Sequence, residues 1–165
     1  MNLYFAIALA AALIVTVPFA IAGLVGAPWV PILRPQSKAV FDLAGLKPGQ
    51  TIIDLGSGDG RLLLAAARHG LNAIGYEINP FMYLISLIVT LRYRRRITIR
   101  LADIWNVRLP AADAVYVFMM PRFMNRLERK LATELSPGTP VVSMAFKFPG
   151  RRPVAEQNGV LRYDF

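Results

Sequence analysis

The chain has 165 residues, about the size of one domain. It carries 19 Lys and Arg against 10 Asp and Glu, a formal net charge of +9, and 55% of its residues are hydrophobic. That apolar content excludes disorder. The lack of cysteine excludes a disulfide scaffold and a Cys-ligated metal centre, and a single histidine excludes a multi-His site, so no metal is expected. Met1 to Leu33 contains no charged side chain. Within it, Leu3 to Val25 is an almost unbroken apolar run, long enough as a helix to cross a hydrocarbon core of about 30 Å. Pro18 should kink it. A cleaved signal peptide, with Ala20-Ile21-Ala22 as its small-residue site, and a buried core helix are the rival readings. The n-region has no positive charge, which favours a retained transmembrane anchor. The first charges after the run, Arg34 and Lys38, place the C-terminal side in the cytoplasm by the positive-inside rule.

Residues 27–35 read as a Pro-rich linker, too broken for a regular element. Residues 36–165 read as one alternating α/β domain. A short helix over Ser37–Leu43, with Ser37 near its cap, precedes a buried strand at Thr51–Leu55. A helix over Arg61–His69 follows, with His69 as a helix-end cation. Then come a strand at Asn72–Glu77, a helix from Pro80 to about Leu91, and strands at Ile97–Leu101 and Ala114–Phe118. A helix over Arg122–Leu135 leads to a strand at Val141–Phe146. Asn158-Gly159 signals a closing hairpin. The expected fold is a Rossmann-like, doubly wound, mostly parallel seven-strand sheet with a C-terminal antiparallel hairpin, preceded by the N-terminal transmembrane helix.

The chemistry concentrates after the first strand. Asp54-Leu55-Gly56-Ser57-Gly58-Asp59-Gly60-Arg61 ends a strand and opens a helix, where open α/β sheets bind ligands. The third glycine of a dinucleotide fingerprint is replaced by Arg61, and no Gly-Lys-Ser/Thr triplet exists for a P-loop. A carboxylate beside the loop repels phosphate and attracts a sulfonium or ammonium. Glu77, at the end of the second strand, is placed to accept from both ribose hydroxyls. Asp103 follows the third strand, where it can accept from an adenine amino group, with Ile104 and Trp105 flanking the ring.

These segments resemble class I, seven-strand S-adenosylmethionine-dependent methyltransferases over about Pro31–Phe165. Asp54–Arg61 is similar to that family's glycine-rich motif, Tyr76-Glu77 to its second-strand acid, and Ala102-Asp103-Ile104-Trp105 to its adenine motif. The resemblance implies S-adenosyl-L-methionine as cofactor, held by Asp54, Gly56, Ser57, Gly58, Asp59, Gly60, Glu77, Ile78, Asp103, Ile104 and Trp105. Within the superfamily the chain looks most like the membrane-anchored protein-lysine methyltransferases related to the mitochondrial FAM173 group, on Pro28–Pro31, Gly75–Pro80 and Phe146–Pro149. A protein substrate, itself membrane-associated, is the implied partner, alongside the membrane contacted through the N-terminal helix.

A lysine must lose its proton before attack, and an apolar slot favours the neutral amine. Trp29, Pro31, Met119, Pro121, Phe146 and Phe148 are the candidate substrate-binding residues, with Phe118 a further wall of the slot. No general base is identified; Asp59 is a candidate, but it reads first as cofactor or loop support. Methyltransferases acting on nucleobases usually carry Asn/Asp-Pro-Pro-aromatic after the fourth strand; this chain has Met119-Met120-Pro121-Arg122, so nucleic acid is not expected as a substrate. The dense cluster Arg92, Arg94, Arg95 and Arg96 reads equally as lipid contact or a solvated helix end. A lipid or small-molecule methyltransferase and a catalytically inert cofactor-binding assembly factor are the alternative functions. Deleting Met1–Gly26 is expected to leave cofactor binding nearly intact.

Overall fold

The computed structural model describes residues 2–165, apart from the side chain of Val25. Helix α1 (Leu3–Val25) forms where the apolar run predicts it, with Asn2 Oδ1 accepting from the Tyr4 N–H at its start. Its side chains are almost all exposed. It is the one helix among the described residues long and apolar enough to cross a membrane.

Helix α2 (Arg34–Ala44) starts three residues before the expected Ser37. Pro35 sits in its first turn, where no backbone donor is needed, so proline opens the helix rather than extending the linker. Gln36 Oε1 accepts from Leu33 N, whereas the Ser37 hydroxyl turns back to Arg34 O and caps nothing.

Seven strands form one sheet in the order β3-β2-β1-β4-β5-β7-β6. Strands β1 (Thr51–Leu55), β2 (Asn72–Glu77), β3 (Ile97–Leu101), β4 (Ala114–Val117) and β5 (Pro140–Met144) run parallel. Strands β6 (Ala155–Gln157) and β7 (Val160–Asp164) add the antiparallel edge. Asn158 and Gly159 both take positive φ, 53° and 74°, as a primed two-residue hairpin turn requires. Strand β5 stops at Met144 instead of Phe146 because Ala145 turns left-handed, φ 65°, and its N–H goes to Gly159 O.

Strand alternation splits the core. Ile52 joins Val40, Leu63 and Ala66 of α2 and α3 (Arg61–Arg68) on one face. Ile53 and Leu55 join Met124, Leu127 and Leu131 of α5 (Pro121–Glu134) on the other. His69 is the C-terminal cap of α3, its ring tilted against Phe41 at 5.2 Å. Helix α4 (Pro80–Thr90) continues into a single 3-10 turn at Leu91–Tyr93. Between β3 and β4 the chain crosses without a helix. Lys130 of α5 donates to Val107 O, and Glu134 accepts from Leu109 N, which pins this crossover to α5. The chain runs outward from β1 to β3 and returns to β4 on the other side of β1. That reversal is the topological switch point, and it opens a crevice at the carboxyl ends of the strands.

Candidate active site

The crevice is built around the loop from β1 to α3. Gly56 N and Ser57 N both donate to Tyr76 O at 2.9 Å, hanging the loop on β2. Glu77, 6% exposed, then holds two backbone donors at once. Gly58 N reaches Oε2 at 2.7 Å and Asn79 N reaches Oε1 at 2.8 Å. Asn79 Oδ1 in turn accepts from Phe81 and Met82 N–H and caps α4. One carboxylate thus joins the glycine loop to the start of the next helix. Burial raises its pKa, outweighing the backbone N–H bonds from Asn79, Gly58 and Ile78 that lower it.

Asp54 is buried at 3% exposure, and its Oδ1 has no hydrogen-bond partner. Its carboxyl is held well above the usual range, first by burial and then by the nearby Glu77 and Asp59 charges. Ser57 Oγ beside it is likewise buried and unpartnered. Asp59 is engaged by the Arg61 guanidinium, with Nε at 2.9–3.0 Å and Nη2 at 2.6 Å. Tyr116 lies next to Asp54 in the register of β1 and β4. Burial and the Asp54 charge keep its phenol protonated far above the ordinary value, and it donates to Met144 Sδ at 3.4 Å.

One cavity gathers most of the residues singled out in the sequence. Asp54, Gly56, Ser57, Gly58, Asp59, Glu77, Ile78, Asp103, Ile104 and Trp105 all line it, as do Trp29, Pro31 and Met119. Asp103 also shapes the turn that follows β3, accepting from Trp105 N at 2.9 Å and from Asn106 Nδ2 at 3.0 Å. Gly60 is outside the cavity. A Cβ there would lie 2.9 Å from Ser86 Cβ, so its role is to let α4 approach the loop. Pro121, Phe146 and Phe148 also lie outside the lining. Phe148 is a core residue at 1% exposure, edge-on to Tyr163 and Phe165. Phe146 stacks at 5.8 Å on Phe118, and Phe118 is the ring that reaches the cavity.

Part of the wall was not read from the sequence. Phe19, Ala22 and Gly26 line the cavity from the end of α1. Trp29 folds over the glycine loop so closely that a Cβ on Gly58 would meet its ring at 2.8 Å. Gly58 has φ +54°, so both space and conformation demand glycine. The Arg61 guanidinium lies 5.8 Å from the Trp29 ring. The linker is therefore the cover of the crevice.

Chemically, the crevice has carboxylates crowded at one end, two buried unpartnered oxygens, and an otherwise largely apolar wall. It suits a ligand bearing positive charge and hydroxyl or amine donors. A seven-strand sheet of this order with an acidic, glycine-rich loop at its switch point is the fold of the S-adenosylmethionine-dependent methyltransferases. A Salinibacter ruber protein, described as an RNA methyltransferase and solved with S-adenosyl-L-homocysteine, superposes with a TM-score of 0.77 at 30% identity, covering 82% of this chain and 93% of that one. Residues 54–155 match the ANTKMT methyltransferase domain family, to which the chain belongs. A Xenopus laevis lysine N-methyltransferase named for ATP synthase is 36% identical over 124 residues, 74% of this chain and 54% of that protein. A Saccharolobus islandicus protein-lysine N-methyltransferase is 30% identical over 130 residues, 76% of this chain and 81% of its own length. The chain thus spans about half the length of the animal relative.

Proposed function

We propose that this protein is a membrane-anchored, S-adenosylmethionine-dependent protein-lysine N-methyltransferase. The observation that carries the reading is the partnerless Asp54 Oδ1, buried near Ser57, Asp59 and Glu77 at the end of β1. A cationic cofactor relieves that crowding, and a phosphate worsens it. When bound, S-adenosylmethionine supplies a methyl group already activated on a sulfonium. Asp54 and Ser57 would hold the charged amino-acid end. Glu77 would accept from the ribose hydroxyls with the oxygen lone pairs left after Gly58 and Asn79, and Asp103, Ile104 and Trp105 would frame the base.

The acceptor side is the apolar wall of Trp29, Pro31, Phe118 and Met119. It excludes water from an incoming amine and so favours the neutral, nucleophilic form. In this reading residues 1–26 anchor the protein, 27–35 link and cover the site, and 36–165 form the methyltransferase domain on the cytoplasmic side. The names of the relatives support a protein-lysine acceptor, and a membrane-associated one suits the anchor. Met119-Met120-Pro121 offers no polar group to hold a nucleobase amide, so RNA is not the acceptor proposed.

A lipid acceptor is the second reading, favoured by Phe19 and Ala22 of α1 in the cavity wall. Incubating the purified protein with methyl-labelled cofactor and cell membranes separates them. Label on a protein band supports a lysine acceptor, label extracted into organic solvent supports a lipid, and no label overturns the enzymatic reading.

A further inference from the structure

Helix α4 is turned inside out. Its buried face is Met82, Ser86 and Thr90, spaced four apart, with Ser86 fully buried. The polarity inside has a structural reason. Ser86 packs against Gly60 of the loop, its hydroxyl donating to Tyr83 O, and Thr90 donates to Ser86 O. The apolarity outside has none within the fold. Leu84, Ile85, Leu87, Ile88 and Leu91 are exposed, Ile88 by 76% and Leu91 by 62%. No charged residue occurs from Ile78 to Leu91, and then Arg92, Arg94, Arg95 and Arg96 follow at once. A surface helix facing water carries the opposite pattern.

The geometry points to α4 as an in-plane membrane helix: its outer face sits in the leaflet at the headgroup boundary, with Arg92, Arg94 and Arg95 on anionic lipid phosphates. Two observations select a bilayer as the occupant. Helix α1, itself long and apolar enough to cross a membrane, touches α4. The cations stand at the end of the apolar face, as in helices that bury one side and keep basic groups at the surface. The N-terminal end of α4 supplies Asn79 and Met82 to the cavity, so the crevice opens beside the headgroups. The inference deepens the anchored reading of α1 and is tested separately from it.

The chain has no cysteine, so single nitroxide labels can be placed in the full-length protein. Ile88→Cys reports α4, Leu13→Cys reports α1, and Ala132→Cys on exposed α5 reports water. The proteins are reconstituted in phosphatidylcholine vesicles with and without phosphatidylglycerol. The label at 88 should be several-fold more accessible to oxygen than to a soluble nickel chelate, as at 13, with the reverse at 132. It should move toward water when Arg92, Arg94 and Arg95 become Gln or when phosphatidylglycerol is omitted. A label at 88 that behaves like 132 while 13 reads lipid overturns the α4 assignment and leaves the anchor standing. Water at both 13 and 88 overturns both. Shielding of 88 from both quenchers means protein contact, such as a second copy, and also overturns the proposal.

Discussion

The Arg122 guanidinium donates to Gly23 O at 2.9 Å and to Leu24 O at 3.2 Å, closing the last turn of α1 from the first turn of α5. That turn has no basic residue of its own, and its terminal carbonyls have no helical partners. A cation there also complements the helix dipole. Arg122→Ala should release the linker from the domain with a small stability loss, about 1 kcal/mol or less for so exposed a contact. Limited chymotrypsin digestion at Trp29 should accelerate. An unchanged cleavage rate would show that the clamp does not hold the linker.

Glu77 serves two backbone donors before it meets any ligand. Glu77→Ala should weaken S-adenosylmethionine binding by about 1.5–3 kcal/mol, the scale of hydrogen bonds to a charged group. It should also lower the melting temperature, because Gly58 N and Asn79 N lose their acceptor. Calorimetric affinity equal to wild type in the folded variant would remove the ribose assignment.

Asp54 links binding to pH. Its folded-state pKa is raised, so the folded apo protein binds more protons than the unfolded chain between the ordinary aspartate value and the raised one. Stability from this group is present at low pH and is lost as pH rises through that window. Cofactor affinity should run the other way, rising with pH as the carboxylate ionises, with protons released on binding below the raised pKa. Asp54→Asn should raise the apo melting temperature and abolish the pH dependence of affinity along with most of the binding. Calorimetry in buffers of different ionisation enthalpy measures the protons released; none, at every acidic pH where the protein stays folded, would count against Asp54 as the counter-charge.

Both tryptophans of the chain, Trp29 and Trp105, line the same cavity. Cofactor or its demethylated product should change the intrinsic emission saturably. The change should persist in part in Trp29→Phe and in Trp105→Phe, and disappear in the double variant. A response confined to Trp105 would mean that the linker does not cover the bound ligand.

The α1 residues in the cavity wall revise the expectation for truncation. Deleting Met1–Gly26 removes Phe19, Ala22 and Gly26 from the lining, so cofactor binding should weaken and methylation of soluble and membrane-embedded acceptors should both fall. A loss confined to membrane acceptors, read with both substrates in the same liposomes, would return α1 to the role of a tether alone.

What is legible in the sequence is local. The Asp54–Arg61 loop, Glu77 and the Asn158-Gly159 turn declare themselves because glycine, carboxylate and strand ends are adjacent in the chain. Pro35 misleads because proline looks alike in a linker and in a helix's first turn. Phe148 reads as a slot aromatic, yet Tyr163 and Phe165 from the end of the chain bury it. The Arg122–Gly23 clamp joins positions 99 apart, and no local pattern announces it. Helix α4 is the subtlest case. Its apolar run marks a helix without marking a side, and only the burial of Ser86 and Thr90 shows which face turns in.

Under the proposed function, the clamped end of α1 also bears on which lysines would be modified. A domain on a loose string samples every height above a bilayer. One fastened at Gly23 and Leu24, with the same helix end walling its cavity, holds its opening at a fixed level. Under the anchored reading the protein is a depth gauge. It would modify lysines that emerge at one particular distance from the hydrocarbon and pass over chemically identical ones a few residues higher, so that selection depends on altitude more than on flanking sequence.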